Sequence, residues 1–300
     1  MEFMWNFLNS DRPGFSGLNH VLTSIMMFLL LLLIPVQPFS NFLKGILVNP
    51  LFGFMAFLTI CGACLLPDAD NAKDEGGSAL TWNLGFIGSV MSSIMVTVSS
   101  VVTTVCHGKK DVKPYTQHRF LWHTPFIPLV MFTIITFLTP DTSQQVFSTF
   151  SVQDFNDFPI SSFIILLMLG ICVYAGSIVL LKKVINLFPF VNLKSSLISF
   201  LLMLVVIALG LFVSEHELKM LAYCINLGYL FHLIGDGCTD GGIPLLFPIS
   251  GIWGKFFQRV KLIPITVKTG GTIESLLKIV FFTIDCGLVY LVFFRGFFHA

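Results

Sequence analysis

Long apolar runs separated by short polar clusters organise this chain. The runs fall at about 21–36, 46–66, 80–106, 124–139, 160–181, 195–213, 219–235 and 276–294. A helix of about 20 apolar residues crosses the hydrocarbon core of a bilayer. The run at 124–139 is shorter and needs flanking residues or a thinned bilayer. The run at 80–106 differs from the others because Ser92, Ser93, Thr97, Ser99, Ser100, Thr103 and Thr104 crowd it. That content suits an interfacial or re-entrant helix packed against protein. The pattern predicts an all-α, polytopic membrane helix bundle. It has about seven transmembrane spans plus the interfacial or re-entrant helix 80–106, in one integral membrane domain covering 1–300.

Composition agrees with the pattern. The chain is 55% hydrophobic and 11% charged, with 33 Phe, and its mean hydropathy is +0.87. Soluble domains carry about 25% charge. A net charge of +1 argues against a nucleic-acid surface, so no nucleic-acid partner is expected. The residues before the first run lack a basic segment and a small-residue cleavage site, and they do not read as a removed signal peptide. The seven cysteines are scattered, mostly within apolar runs, and form no disulfide framework. Cys61-Gly62-Ala63-Cys64 has redox-motif spacing but no basic neighbour to activate a thiol, so it reads as a pair of small core residues.

The polar clusters between the runs carry the chemistry. His232 and Asp236 are four residues apart, one turn on the same helical face. The helix then stops in a Gly-rich turn before Pro244. Imidazole and carboxylate at that spacing can hold a divalent metal. His20 opens the first run, Asp68 and Asp70 close the second, and His118-Arg119 and His123 precede the fourth. With seven spans, all seven His and Asp positions fall near one membrane face. With eight, the Asp68/Asp70 pair lies opposite His118, His123 and Asp236. Charge fits both arrangements: 13 Lys and Arg against three with seven spans, 12 against four with eight. Convergence of the ligand types favours seven, because isolated ionisable groups are costly in a bilayer. The N-terminus and the site are then cytoplasmic, while His216 and His299 lie on the other face. The acidic loop 140–159, with three Asp and no Lys or Arg, also lies there.

His118 and His123 would diverge on one straight helix, by about 140° at 3.6 residues per turn. They can share a site only if the backbone bends or a helix begins between them, and Pro125 makes an irregular segment plausible. His107, beside Lys109 and Lys110, reads as a headgroup-facing residue.

Taken in order, the motifs are His20, Leu-Pro-Asp-Ala-Asp at 66–70, His-Arg-x-x-x-His at 118–123, His-x-x-x-Asp-x-x-Thr-x-x-Gly at 232–242, and Lys-Thr-Gly-Gly-Thr-Ile-Glu at 268–274. This ordered set resembles the family of membrane-bound, metal-dependent hydrolases of the YdjM type. The motif-bearing parts are 18–139 and 219–275. The chain departs from the family's pattern at bulky Trp122 and in extra spans over 140–215, which look like an insertion. The layout also loosely resembles zinc-dependent phospholipase C and P1-type nucleases.

The resemblance implies a membrane-embedded metal-dependent hydrolase of the inner or plasma membrane. The donors fit one to three divalent ions, zinc first and manganese or iron otherwise. The expected ligands are His20, Asp68, Asp70, His118, His123, His232 and Asp236. Asp68 or Asp70 can bridge ions or orient a water, and Arg119 can take a phosphate bidentately, which makes Asp70 and Arg119 the expected catalytic residues. Thr239 and Glu274 are expected behind the ligands or against substrate. A site at interface depth suits an amphiphilic phosphoester, a lipid phosphate, whose tail stays in the bilayer. The alternative is a non-catalytic metal-binding membrane scaffold or regulatory protein. A transporter fits less well, because the ionisable motifs gather at one end of the spans and no inverted repeat is visible.

Overall fold

The computed structural model describes residues 17–33, 49–70, 86–107, 121–138, 160–186, 195–213, 215–239, 242–245, 262 and 272–294. Its elements are helices: α1 (Gly17–Leu33), α2 (Pro50–Ala63), α3 (Phe86–His107), α4 (Phe126–Leu138), α5 (Ile160–Asn186), α6 (Ser195–Gly210), α7 (Glu215–Gly237) and α8 (Thr272–Val289). Single 3-10 turns occupy Pro67–Asp70 and Leu121–His123, and a π segment, Tyr290–Phe294, extends α8. Each apolar run of the sequence is thus a helix. Four segments are long and apolar enough to cross a membrane: Leu51–Asp70, Ser162–Lys182, Glu217–Gly237 and Thr272–Val292. The described parts of α1, α3, α4 and α6 are apolar but shorter. The protein is an all-α membrane bundle.

α2 is the centre of the bundle. Asn49 caps it, its side chain accepting from the Phe52 amide at 3.2 Å, and Pro50 sits in the first turn, where a missing amide costs nothing. α2 packs mainly on α5 and α7, then on α1. Small residues permit this closeness. A Cβ placed on Gly62 would lie 1.6 Å from the Cys172 carbonyl oxygen of α5, and one on Gly228 of α7 would lie 2.7 Å from the Ile60 carbonyl oxygen. Backbones meet here without side chains between them, as in small-residue membrane interfaces. Cys61, Cys64, Cys172 and Cys224 are all free and buried at this junction, so the Cys-x-x-Cys pair serves as packing. α5 belongs to the residues that resemble an insertion, yet it is built into this core.

α3 is arranged differently. Among its described side chains and glycines the buried positions are Gly88, Ser92, Met95 and Ser99, one face at helical spacing. Val90, Ile94, Val98, Val101 and Val105 are exposed. The exposed hydroxyls of Ser93 and Thr97 bond back to the carbonyls of Ser89 and Ser93, at 2.9 and 2.7 Å, which satisfies them without water. α3 packs chiefly on the two 3-10 turns rather than along another helix. Trp122 fastens it there, its indole donating to the Met95 carbonyl at 2.8 Å.

Candidate metal centre

Four segments deliver the polar residues to one end of the bundle. Pro67 closes α2, and the 3-10 turn after it presents Asp68 and Asp70. A backbone bond from the Ala69 amide to the Leu66 carbonyl, 3.0 Å, holds that turn. His20 comes from the start of α1. His123 ends the 3-10 turn Leu121–His123, and α4 begins three residues later at Phe126. α7 supplies His232 and Asp236 one turn apart, and then unwinds. The Thr239 hydroxyl donates to the Asp236 carbonyl at 2.8 Å, and Gly242, at φ 56°, takes the left-handed conformation needed to reverse the chain.

The three imidazole Nε2 atoms and two carboxylates surround a common point. His123 Nε2 and His232 Nε2 both lie 3.4 Å from Asp236 Oδ2. They lie 3.5 and 3.6 Å from Asp68 Oδ1. His20 Nε2 is 3.5 Å from Asp236 Oδ1 and 4.0 Å from Asp68 Oδ2. These separations exceed ordinary hydrogen bonds. They match another geometry: donors held about 2.1 Å from one ion at tetrahedral angles stand about 3.4 Å apart. Two overlapping triads, His20–Asp68–His232 and His123–His232–Asp236, each bring their donor atoms within 4.8 Å of one another, and the His123–Asp236 and His232–Asp236 pairs stand at the tetrahedral spacing. They share His232, whose Nε2 lone pair serves one ion, so a second ion would draw on the carboxylates instead.

Two of the rings also meet a group on their reverse edges. His232 Nδ1 lies 2.6 Å from the Cys64 carbonyl oxygen, which makes it the protonated nitrogen and turns Nε2 toward the centre. His123 Nδ1 faces Asp70 Oδ2 at 3.5 Å. Asp70 therefore meets the back of a histidine, and neither triad includes it. His20 stacks on His232 with ring centroids 3.8 Å apart. The Tyr229 hydroxyl, one turn before His232, donates to the Trp122 carbonyl and ties the His123 turn to α7. Burial alone would push the His123 imidazolium pKa down, but Asp70, Asp68 and Asp236 together hold it above the ordinary histidine value.

His20, His123, His232 and Asp236 are at most 1% exposed, whereas Asp68 is 16% exposed. The centre therefore opens on the Asp68 side. Of the other expected site residues, Glu274 is buried and accepts a hydrogen bond from the Asn19 side chain, next to His20. Thr239 is buried against the helix end. His118 and Arg119 lie outside the described residues. The Cys64 carbonyl and Tyr229 carry no motif signature. Tyr229 was detectable only as a polar tip three residues from His232 on the same face.

Residues 196–298 match the family described as YdjM inner membrane protein. The match covers α6, α7 and α8, and with them His232, Asp236, Thr239 and Glu274. It starts within the 140–215 segment, so α6 lies inside the matched region. No curated protein and no solved structure matches the chain.

Proposed function

We propose that this protein is an inner-membrane, metal-dependent hydrolase of a phosphoester, acting on a lipid phosphate at the cytoplasmic face. The observation that carries the reading is the convergence of three imidazole Nε2 atoms and two carboxylates at ligand-to-ligand spacing, with two of the rings held from behind. His20, Asp68, His123, His232 and Asp236 would hold the ion, zinc or otherwise manganese or iron. A divalent ion in such a site lowers the pKa of a bound water to about 7 and supplies hydroxide. Asp70 orients His123, and Tyr229 fixes the turn that presents it. Asp68, at the open edge, is the donor beside which water and substrate would reach the ion. Arg119, adjacent in sequence to His118, is assigned to the substrate phosphate. In this reading seven helices span the bilayer with the N-terminus cytoplasmic. α3 lies across the site end with its valine face in lipid, beside the path by which a headgroup arrives.

The near-complete burial of four of the five donors favours a second reading, a closed structural metal centre in a scaffold protein. Phosphate release from phosphatidic acid or a polyprenyl phosphate in mixed micelles separates the two. The hydrolase reading expects metal-dependent turnover that Asp68→Asn abolishes. Metal-loaded protein inert toward every such phosphoester would leave the scaffold.

A further inference from the structure

α8 presents most of its surface outward. Its buried residues, among those described, are Glu274, Lys278, Asp285 and Leu288. Three of these four are ionisable, and their spacing puts them on one helical stripe. That stripe faces α1, the chief helical neighbour of α8. The Asn19–Glu274 hydrogen bond joins the first turns of both helices, so they run parallel, away from the metal end. One turn further along come Thr23 on α1 and Lys278 on α8, both buried. Asp285 follows eleven residues after Glu274, about 16 Å along the axis. That is about half the thickness of a hydrocarbon core.

Asp285 is 5% exposed. Among the described residues neither of its carboxylate oxygens has a hydrogen-bond partner, and no ion pair reaches it. The elements around it supply little charge. α1 has no titratable side chain besides His20, back at the metal end. From α2 the Cys61 thiol lies within electrostatic reach of Asp285. On α8 itself, Lys278 is about 10 Å back along the axis. A bare carboxylate at this depth is too costly to persist, and intramembrane carboxyls are characteristic of proton relays. Along the way to the metal end, Asn19 Oδ1 and Thr23 Oγ1 are buried acceptors that also lack partners among the described residues.

We propose that Asp285 is a proton-binding site in the membrane interior. The site is separate from the proposed hydrolase chemistry and stands without it.

A hydrophobic carbodiimide, which modifies protonated carboxyls within a bilayer, tests the assignment on full-length, metal-loaded protein in nanodiscs. Mass spectrometry is expected to place the adduct on Asp285 near neutral pH. Labelling should fall as the pH rises and persist in high sodium. The carboxyl stretch in infrared difference spectra should vanish in Asp285→Asn while metal content is retained. Absence of an adduct at Asp285 even in acid would overturn the proposal. Protection by sodium would overturn it in favour of a metal cation as ligand. The labelling arm uses wild-type protein, so it remains decisive if a variant fails to fold.

Discussion

Gly62→Ala asks whether the helix core sets the geometry of the metal centre. Gly62 lies on α2, six residues before Asp68. The added Cβ would meet the Cys172 carbonyl oxygen at 1.6 Å and the Cys172 Cα at 2.7 Å, where ordinary contact begins near 3.4 Å. α2 and α5 must then separate by about 1.8 Å. The opposing atoms are backbone, so no change of rotamer relieves the clash. Overpacking of this kind costs about 1–3 kcal/mol, and a backbone clash belongs at the upper end. The displacement also carries Asp68, Asp70 and the Cys64 carbonyl with α2, while His232 and Asp236 stay on α7. Metal–ligand distances tolerate only about 0.2 Å, so the centre loses Asp68 and the hydrogen bond behind His232 together. Gly287→Ala on α8 is the matched control, because nothing lies within 4 Å of its Cβ position. Alanine there favours the helix by about 0.5–1 kcal/mol. Thermal unfolding and metal content in detergent should both fall for Gly62→Ala and hold for Gly287→Ala. Wild-type stability and full metal loading in Gly62→Ala would refute the close α2–α5 packing and its link to the site.

Asp70→Asn should weaken metal affinity by about 10–100-fold without abolishing binding, as expected for a group behind a ligand; complete loss in a metal titration would make Asp70 a ligand instead. In metal-free protein, the raised His123 pKa contributes stability that is fully present below the ordinary histidine value of 6.5 and is lost as pH rises through the folded value. Metal requires the neutral ring, so uptake should release protons and apparent affinity should fall on acidification toward pH 6; pH-independent uptake measured by calorimetry would contradict the assignment of His123. Reporters inserted near residues 75 and 115 should both be cytoplasmic, because α3 does not cross in the seven-span arrangement; opposite sides would make α3 a span. His216→Ala should leave metal content unchanged, since His216 stands at the far end of α7, about 24 Å from His232 at 1.5 Å per residue.

The helices were readable because apolar runs in this chain are long and polar breaks are compact; each run named from sequence corresponds to an observed helix. Boundaries moved where local chemistry was not periodic: α1 begins at Gly17, ahead of the apolar run, which places His20 in its first turns. His20, Asp68, His123, His232 and Asp236 were readable as ligand types at the ends of runs, and the fold brings all five together. The role of Asp70 was not readable. Alternation in Asp68-Ala69-Asp70 suggests two equivalent carboxylates, but a 3-10 turn separates them, one toward the Nε2 cluster and one toward Nδ1 of His123. The Cys64 carbonyl was invisible because backbone acceptors leave no trace in sequence. The stripe on α8 escaped for the opposite reason: Glu274, Lys278 and Asp285 are plain in the sequence, but the run is apolar on average, and only its packing against α1 shows that all three face inward.

The most direct test of the metal centre is elemental analysis of detergent-purified protein, wild type beside Asp236→Ala. Asp236 is fully buried and lies 3.4–3.5 Å from three imidazole nitrogens, so its removal takes a donor from the middle of the cluster. The account predicts stoichiometric zinc, manganese or iron in the wild type and its loss in the variant. Well-folded wild-type protein that takes up no divalent metal after reconstitution would contradict it, and would leave the His232–Asp236 helix a packing element.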